Sequence, residues 1–435
     1  MTPRIYLDHN ATTPLRPAAR AAVVAAMEVT GNASSVHAEG RAAHARIDET
    51  RAAVAAVLGA RADMVVFTSG GSEANNLALK VRDVGALIVS AIEHPSVLAA
   101  ARADARPLAD IPVNADGIID LDRLESLLDV AVGPALVSVM LANNETGVIE
   151  PIAAIAELVH AHDGVLHVDA VQAAGHIPVR LAMLGADLAT FSAHKTGGPQ
   201  GAGALVVGDR VRLDALIKGG GQEYGRRAGT ENVAAIAGFG AALREIAENA
   251  LPAADLRDDL EAGLKAIAPE ITVFAAGAQR LPNTTCFAFP GLDAQTALMG
   301  FDLAGVAVSS GSACSSGKVT RSHVLAAMGV GDELAGGAVR ISLGWTTTDN
   351  DIKAAIAAWD GVQPISWAIS ATDLAISKRW ASIPQRPARP STLWLSLYLP
   401  LSTPVPRMPQ GVTAMSRARA IGSKSRSGVR STRLY

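Results

Sequence analysis

The sequence has only two cysteines among its 435 residues, Cys286 and Cys314. Two cysteines cannot form a disulfide framework or a cysteine metal cluster, so we expect no metal site and a reduced, cytoplasmic setting. Aromatic residues make up only 4% of the chain, which predicts a core of Ala, Val and Leu. No apolar run reaches the 18 residues that indicate a membrane-spanning helix. The N-terminus has Arg4, Asp8 and His9 instead of the apolar segment of a signal peptide, so we expect no membrane association.

Negative charge is scarce at the C-terminal end. Residues 364–435 contain eleven Lys and Arg but one acid, Asp373, which gives a charge of +10. Because the whole chain carries −3, the remainder carries −13. A negatively charged body lacks the basic surface that binds nucleic acid, so no nucleic acid is expected as a partner. The basic tail is rich in Pro and Ser and lacks helical or strand periodicity, which predicts disorder. Binding of an acidic partner, a frame-shifted or read-through end, and no role at all are open alternatives for it.

Strand patterns alternate with helix patterns between residues 64 and 207. The predicted strands span residues 64–68, 86–90, 106–111, 135–141, 165–168, 187–191 and 204–207. Helices are predicted between them, and residues 17–29 and 37–58 form two more. This alternation favours an α/β fold with a mainly parallel sheet covered by helices on both faces. Residues after about 250 are typical of a smaller α+β unit.

Polar residues follow the ends of the predicted strands. They are Ser69 to Ser72, His94, Asn144, Asp169 with Gln172, and Ser192 to Lys195. Strand ends converge at the carboxyl edge of a parallel sheet, where such folds bind ligands. Each residue by itself is typical of capping or packing, but their repetition at successive strand ends indicates a site.

The chemistry of these residues is mutually consistent. The turn from Ser69 to Ser72 precedes a helix and could hold a phosphate on backbone N–H groups. Asp169 could keep the nitrogen of a heteroaromatic ring protonated, which makes the ring an electron sink. His94 could stack on the ring, and Asn144 and Gln172 could hydrogen-bond its oxygen. Lys195 is placed for a Schiff base with an aldehyde cofactor, with a surface-loop lysine as the alternative.

The motifs resemble those of fold-type I pyridoxal-phosphate enzymes, and among these the cysteine desulfurases of the class V aminotransferase family. The resemblance extends from about Ile5 to Trp359. Its motifs are Tyr6-Leu-Asp-His-Asn-Ala-Thr-Thr-Pro14, Thr68-Ser-Gly-Gly-Ser-Glu-Ala-Asn-Asn76, Glu93-His-Pro-Ser-Val97, Asn143-Asn-Glu-Thr-Gly147, His167-Val-Asp-Ala-Val-Gln172, Ser192-Ala-His-Lys195, Arg227-Ala-Gly-Thr230, Ser309-Ser-Gly-Ser-Ala-Cys-Ser315 and Arg340-Ile-Ser-Leu-Gly344.

The resemblance implies pyridoxal 5'-phosphate as cofactor and a role for each matching residue. The implied phosphate ligands are Gly71, Ser72, Ser192, His194 and, from a neighbouring subunit, Thr230. A residue shared in this way implies a homodimer. Arg340, with Asn144 beside it, is implied to bind the carboxylate of L-cysteine, which suits a bidentate guanidinium. The roles of His94, Asn144, Asp169, Gln172 and Lys195 agree with those argued from their chemistry.

The chain is expected to form four parts, and the resemblance implies the first three of them. Residues 1–14 are expected to pack as an N-terminal segment on the small domain. Residues 15–250 are expected to form the large cofactor-binding domain, and residues 251–362 the small C-terminal domain with the cysteine loop. Residues 363–435 are the basic tail, predicted to be disordered.

Cys314 distinguishes the possible reactions. It lies in a small, polar segment, whereas Cys286 lies in an apolar strand pattern and is expected to be structural. An exposed thiol can become a nucleophilic thiolate. In the resembled family this cysteine receives sulfur as a persulfide, with Lys195 and His94 in proton transfer. The long loop resembles that of desulfurases which hand sulfur to iron–sulfur scaffold proteins. This resemblance implies transient contact of Cys314 with an iron–sulfur cluster.

Four alternatives are open from the sequence. Selenocysteine lyase and a class V aminotransferase share the implied fold, although an aminotransferase needs no thiol. A non-catalytic scaffold would not need the complete set of lysine, aspartate and cysteine. A nucleotide-binding protein is disfavoured because Walker-type and G-x-G-x-x-G turns are missing. Which acceptor takes the sulfur is not specified by the sequence.

Overall fold

The computed structural model describes residues 4–249, 254–311 and 321–362, and its strands follow the predicted order. The strands are β1 (Ile5–Tyr6), β2 (Val65–Thr68), β3 (Ala86–Ser90), β4 (Leu108–Ile111), β5 (Ala135–Met140), β6 (Val165–Asp169), β7 (Leu188–Ser192), β8 (Gly203–Val207), β9 (Thr272–Val273), β10 (Thr284–Ala288), β11 (Val306–Ala307), β12 (Ser309–Ser310) and β13 (Val339–Ser342).

The helices fill the spaces between the strands. They are α1 (Pro17–Met27), α2 (Ala38–Leu58), α3 (Gly71–Ala78), α4 (Pro95–Arg102), α5 (Leu121–Asp129), α6 (Ile152–Ala161), α7 (Leu181–Leu184), α8 (Val233–Glu248), α9 (Asp255–Ile267), α10 (Ala294–Leu303), α11 (His323–Ala327), α12 (Asp332–Gly336) and α13 (Asp349–Val362). Among the described residues, no helix combines the length and apolar character needed to cross a membrane.

A seven-stranded sheet forms the larger part of the molecule. Its strand order is β2-β8-β7-β6-β5-β3-β4, and all neighbours pair in parallel except β8, which is antiparallel to β2 and β7. Alternate side chains of β2 enter two different cores, because successive side chains of a strand point to opposite faces. Val65 and Phe67 pack with α2 and α8, whereas Val66 packs with α3 and α4. The predicted α/β fold, with helices on both faces of a mainly parallel sheet, is confirmed.

A second sheet follows in the C-terminal part of the described chain. Its order is β12-β13-β10-β9, all antiparallel. Its core is built around Trp359, whose ring lies 5.3 Å from that of Phe287 and 6.1 Å from that of Phe301. The N-terminal segment packs here too, since β1 pairs in parallel with β11 and Leu7 lies in the same core. The division into domains at residues 250 and 251 stays a prediction, and the tail 363–435 lies outside the described residues.

Candidate active site

The predicted site residues meet at one edge of the large sheet. Strands β2, β3, β5, β6 and β7 run in the same direction, so their carboxyl ends lie side by side. The chain leaves this edge after Thr68, Ser90, Met140, Asp169 and Ser192. Each predicted cluster begins at the last residue of one of these strands or within four residues after it, so the strand directions bring the clusters together.

The N-terminus of α3 and the end of β7 form a cradle of polar groups. A methyl group added at Gly71 would lie 3.4 Å from Ser192 Cβ, so the helix start and Ser192 are in close proximity. The Oγ atom of Ser192 is buried and has no hydrogen-bond partner among the described residues. Free N–H groups at a helix start also attract anions. An orphaned hydroxyl beside a helix N-terminus fits a phosphate group. The Ser72 side chain is exposed at the same helix end.

A salt bridge ties the loop that contains Arg227 and Thr230 to this cradle. Glu73 accepts a hydrogen bond from the backbone N–H of Ser69 at 2.8 Å and from Arg227 Nε at 2.9 Å. Arg227 therefore fixes the loop beside the start of α3. Thr230 follows on the loop and is exposed, and none of the hydrogen bonds between described residues joins it to the cradle.

Lys195 lies three residues beyond β7 and contacts the N-terminal segment. Its Nζ atom donates hydrogen bonds to the carbonyl oxygens of Asn10 and Ala11. His194 Nδ1 lies 3.2 Å from the hydroxyl of Thr12. Burial, and next the charge of Lys195, lowers the pKa of His194 to about 4. A cleft of about 620 Å³ reaches Lys195 from the side of Asn283 and Trp345.

Asp169 is buried at the end of β6 with both carboxylate oxygens occupied. Oδ1 accepts from the backbone N–H of Val171 at 3.0 Å, and Oδ2 accepts from Asn75 Nδ2 at 2.7 Å. His94, the N-cap residue of α4, is close enough for its charge to interact with those of Asp169 and Lys195. Burial dominates and lowers the pKa of His94, so its ring is neutral near pH 7.

Arg340 is held from two sides on β13. Its Nη1 donates to the carbonyl oxygen of Asn144 at 2.9 Å, and its Nη2 donates to Asp8 Oδ1 at 2.7 Å. Its Nε is buried without a partner among the described residues. An orphaned guanidinium donor fits a small carboxylate ligand.

Asn10 connects the N-terminal segment with both sheets. Its side-chain amide donates to Thr284 Oγ1 and to the carbonyl oxygen of Asn144. Its own carbonyl accepts from Gln172 Nε2 at 3.1 Å as well as from Lys195. Asn144, Gln172 and Lys195 are therefore linked through one residue.

The two cysteines have different settings. Cys286 lies in β10 with no exposed surface, and burial raises the pKa of its thiol. Cys314 lies outside the described residues. The strand that leads toward it, β12, pairs with β13 such that Ser309 lies opposite Arg340.

Four residues of the site were not predicted from the sequence as site residues: Asp8, Asn10, Asn75 and Ser96. All four lie inside the sequence motifs quoted above, and that position was the available signal. Their contacts join segments far apart in the chain, so spacing within one motif could not reveal them.

The chain is similar to a well-populated family. The family model described as Aminotransferase class-V matches residues 5–355. A protein of Dictyoglomus turgidum named "Cysteine desulfurase IscS" is 39% identical over 81% of this chain and 93% of its own length. A protein of Cereibacter sphaeroides named "Cysteine desulfurase" is 42% identical over 79% of this chain and 92% of its own length.

A solved structure agrees with these sequence relatives. The NifS-like protein from Rickettsia africae is 41% identical, with a TM-score of 0.77, over 82% of this chain and 99% of its own. The match to the family model covers well over half of the chain and includes every motif at the sheet edge. The chain therefore belongs to the class-V aminotransferase family.

Proposed function

We propose that this protein is a cysteine desulfurase, which removes sulfur from L-cysteine and leaves L-alanine. One observation carries the proposal: the strand carrying Arg340 pairs directly with the strand that leads to Cys314. Because Cys314 follows Ser310 by four residues, chain length alone keeps the Cα atoms of Cys314 and Ser310 within about 14 Å of each other. The chain length therefore allows the Cys314 thiol to reach a substrate whose carboxylate is held at Arg340.

Pyridoxal phosphate is the proposed cofactor, and the described residues fit it. The start of α3 at Gly71 and Ser72, with Ser192 and His194, would hold its phosphate, and Lys195 would bind its aldehyde carbon. Asp169 would face the ring nitrogen, His94 the ring face, and Asn144 with Gln172 the ring oxygen. When bound, the cofactor supplies an electron sink for charge that develops at the substrate Cα.

The protein's own groups then supply the remaining steps. The Arg340 guanidinium orients the substrate through its carboxylate. The Lys195 amine removes the Cα proton, and His94 supports proton transfer near it. The Cys314 thiolate attacks the substrate sulfur, so that an S–S bond forms and the C–S bond breaks. Cys314 carries the sulfur as a persulfide, and protonation of the remaining carbon skeleton gives alanine.

The first test is turnover of L-cysteine with a reductant present, with alanine and sulfide measured together. We expect equal yields from the wild type and none from Cys314→Ala. Cys286→Ala is the matched control, since it removes the other thiol and should retain activity. Alanine without sulfide, or activity indifferent to Cys314, would contradict the proposal. Selenocysteine turnover with rejection of cysteine would favour a selenocysteine lyase.

A second variant tests the role of Lys195. Lys195→Ala should bind no cofactor covalently, so the visible absorption band of the lysine-bound form should be lost together with activity. Lys80→Ala, which removes a lysine two residues beyond the C-terminal end of α3, is the control and should keep both the absorption band and the activity. Turnover in Lys195→Ala at the wild-type rate would refute the mechanism.

We further propose a homodimer that hands sulfur to an iron–sulfur scaffold protein in the cytoplasm. The dimer is supported by the exposure of Thr230 on a loop beside the cradle, because an exposed Thr230 is available to contact a second subunit. A reducing compartment suits a reaction that needs a free thiol. Sedimentation should give twice the chain mass of 44.6 kDa. Activity restored by mixing Thr230→Ala and Lys195→Ala subunits would support a shared site.

A further inference from the structure

A continuous row of hydrogen bonds joins Asp169 to His94 through two residues without an assigned role. Asn75 Nδ2 lies 2.7 Å from Asp169 Oδ2 and 2.9 Å from Ser96 Oγ. Ser96 Oγ in turn lies 2.7 Å from His94 Nδ1. Asn75 is buried in α3, and Ser96 stands in the first turn of α4.

The carboxylate at one end decides how the amide of Asn75 is oriented. Asp169, ionised in its proposed role at the ring nitrogen, can only accept hydrogen bonds. It must therefore face the NH₂ group of Asn75, because the amide oxygen would meet it as a second acceptor. The orientation leaves Asn75 Oδ1 buried without a partner among the described residues. This unsatisfied oxygen indicates that the contact with Asp169 determines the orientation of the Asn75 amide.

The second N–H of Asn75 then decides the role of the Ser96 hydroxyl. Because Ser96 Oγ accepts from Asn75, its own hydrogen is available for His94 Nδ1. The backbone N–H of Ser96 also donates to Nδ1, at 3.1 Å, since His94 caps the helix. An N–H in the first helical turn has no partner within the helix, so this donor does not compete with another acceptor.

Two donors directed at Nδ1 fix the position of the proton on His94. A neutral imidazole has one N–H and one acceptor nitrogen, and here the acceptor is Nδ1. We propose that Ser96 and Asn75 are positioning residues that hold His94 as the Nε2–H tautomer, so that the resting enzyme presents its substrate with a hydrogen-bond donor at this ring and not with a base. The inference rests on the proposed function for what His94 contacts.

The surroundings of His94 agree with a neutral donor. The charged and titratable groups that face it are Asp169 from β6, Lys195 after β7 and His323 from α11. Burial is the largest influence and lowers the pKa of His94, and Lys195 and His323 lower it further, while Asp169 raises it. A neutral ring with Nδ1 occupied can stabilise negative charge on a substrate through Nε2.

Nitrogen NMR of the full chain with bound cofactor and labelled histidine reads the tautomer directly. His94→Gln, which removes the two ring-nitrogen signals of this residue, assigns the resonances. The wild type should show the hydrogen on Nε2 at about pH 7. In Ser96→Ala the Nδ1 resonance should shift to that of a nitrogen that accepts one hydrogen bond fewer. Ser96→Thr, which retains the hydroxyl, should match the wild type.

Turnover gives a second readout. Loss of one neutral hydrogen bond of about 1 kcal/mol should lower kcat about fivefold in Ser96→Ala, with KM unchanged and kcat restored in Ser96→Thr. A hydrogen on Nδ1 or a charged ring in the wild type would overturn the inference, as would a Ser96→Ala variant equal to Ser96→Thr in both readouts. NMR requires no turnover, so a failure of the desulfurase proposal would be detected separately by alanine production.

Discussion

Three buried carboxyl groups follow strands that end at the site but take no part in the proposed chemistry. Glu93 directly precedes His94, Glu145 directly follows Asn144, and Glu150 lies five residues after Glu145. Each of the three has less than a tenth of its surface exposed. Burial raises the pKa of Glu145 to about 7 and that of Glu150 to about 8, and it raises the pKa of Glu93 well above its usual range. Between pH 4.5 and their raised pKa values, these groups hold protons in the folded protein that the unfolded chain has already released.

Glu150 gives a prediction for stability. Its pKa of about 8 in the folded protein lies above the ordinary value of 4.5. The contribution of Glu150 to the free energy of unfolding is therefore at its maximum below pH 4.5 and is lost as the pH rises to 8. The free energy of unfolding should fall by about 3 kcal/mol between about pH 5 and pH 8 on account of this group.

Glu150→Gln should remove that decline. Gln keeps an oxygen for the backbone N–H of Ile119, which Glu150 accepts at 3.0 Å. Denaturant titrations at several pH values measure the difference between variant and wild type. Glu157→Gln, on the exposed face of α6, is the control and should leave the pH dependence unaltered. An equal slope in Glu150→Gln and the wild type would contradict the prediction.

At the residue scale the sequence predicted the groups with distinctive chemistry and missed those that hold them. Lys195, Asp169 and Arg340 are conspicuous because a charged side chain beside apolar strands calls for a partner. Asn75 within α3 and Ser96 in the first turn of α4 are ordinary helix residues, and only the approach of α3 to α4 gives them a role. The roles assigned to the site residues stay predictions.

At the element scale the site depends on a close approach of two backbones. A methyl group at Gly203, the first residue of β8, would lie 2.6 Å from the carbonyl carbon of Gly70. Gly70 directly precedes α3, whose start is the proposed phosphate cradle. Glycine at position 203 therefore sets how near the cradle lies to Ser192 at the end of β7.

Gly203→Ala should displace the start of α3. Because both contacting groups are backbone, the strain cannot be relieved by a side-chain rotation, and we expect a loss of about 2 kcal/mol of stability. Binding of pyridoxal phosphate, followed by absorbance titration, should weaken as well. Gly336→Ala is the control, since a methyl group there would meet nothing within 4 Å. Cofactor affinity equal to that of the wild type would contradict the proposed cradle.

Long elements were predictable, but two of the shortest strands were not. Residues 86–90 were predicted as a strand with the bounds that β3 has, because an apolar run between turns is a local signal. β11 and β12 have two residues each and exist only through pairing with β1 and β13. The antiparallel direction of β8 follows from its short connection to β7, since parallel neighbours need a longer crossover.

At the scale of the whole molecule, α13 completes the second core. Trp359 is 1% exposed and packs against Phe287, Phe289 and Phe301. Val362, the last described residue, still contacts this core. The match to the family ends nearby, at residue 355. Both observations make α13 the last element of this core among the described residues.

A chain that ends at Val362 should therefore fold and retain the activity of the full protein. We expect an unchanged Tm and turnover of L-cysteine within about twofold of the full chain, because no described core residue is removed. A chain that ends before Asp349 is the matched comparison. It loses the whole of α13 and exposes the aromatic side chains that Trp359 covers, so it should be insoluble or unfolded.

The two truncations together separate folding from function. If the chain ending at Val362 is soluble and binds cofactor but is inactive, residues 363–435 take part in the reaction, and their basic charge would then point to delivery of an acidic partner or substrate. If it is unstable, the core extends beyond α13. Full activity in the chain that ends at Val362, together with loss of the fold in the chain that ends before Asp349, would place the C-terminal limit of the catalytic unit within α13.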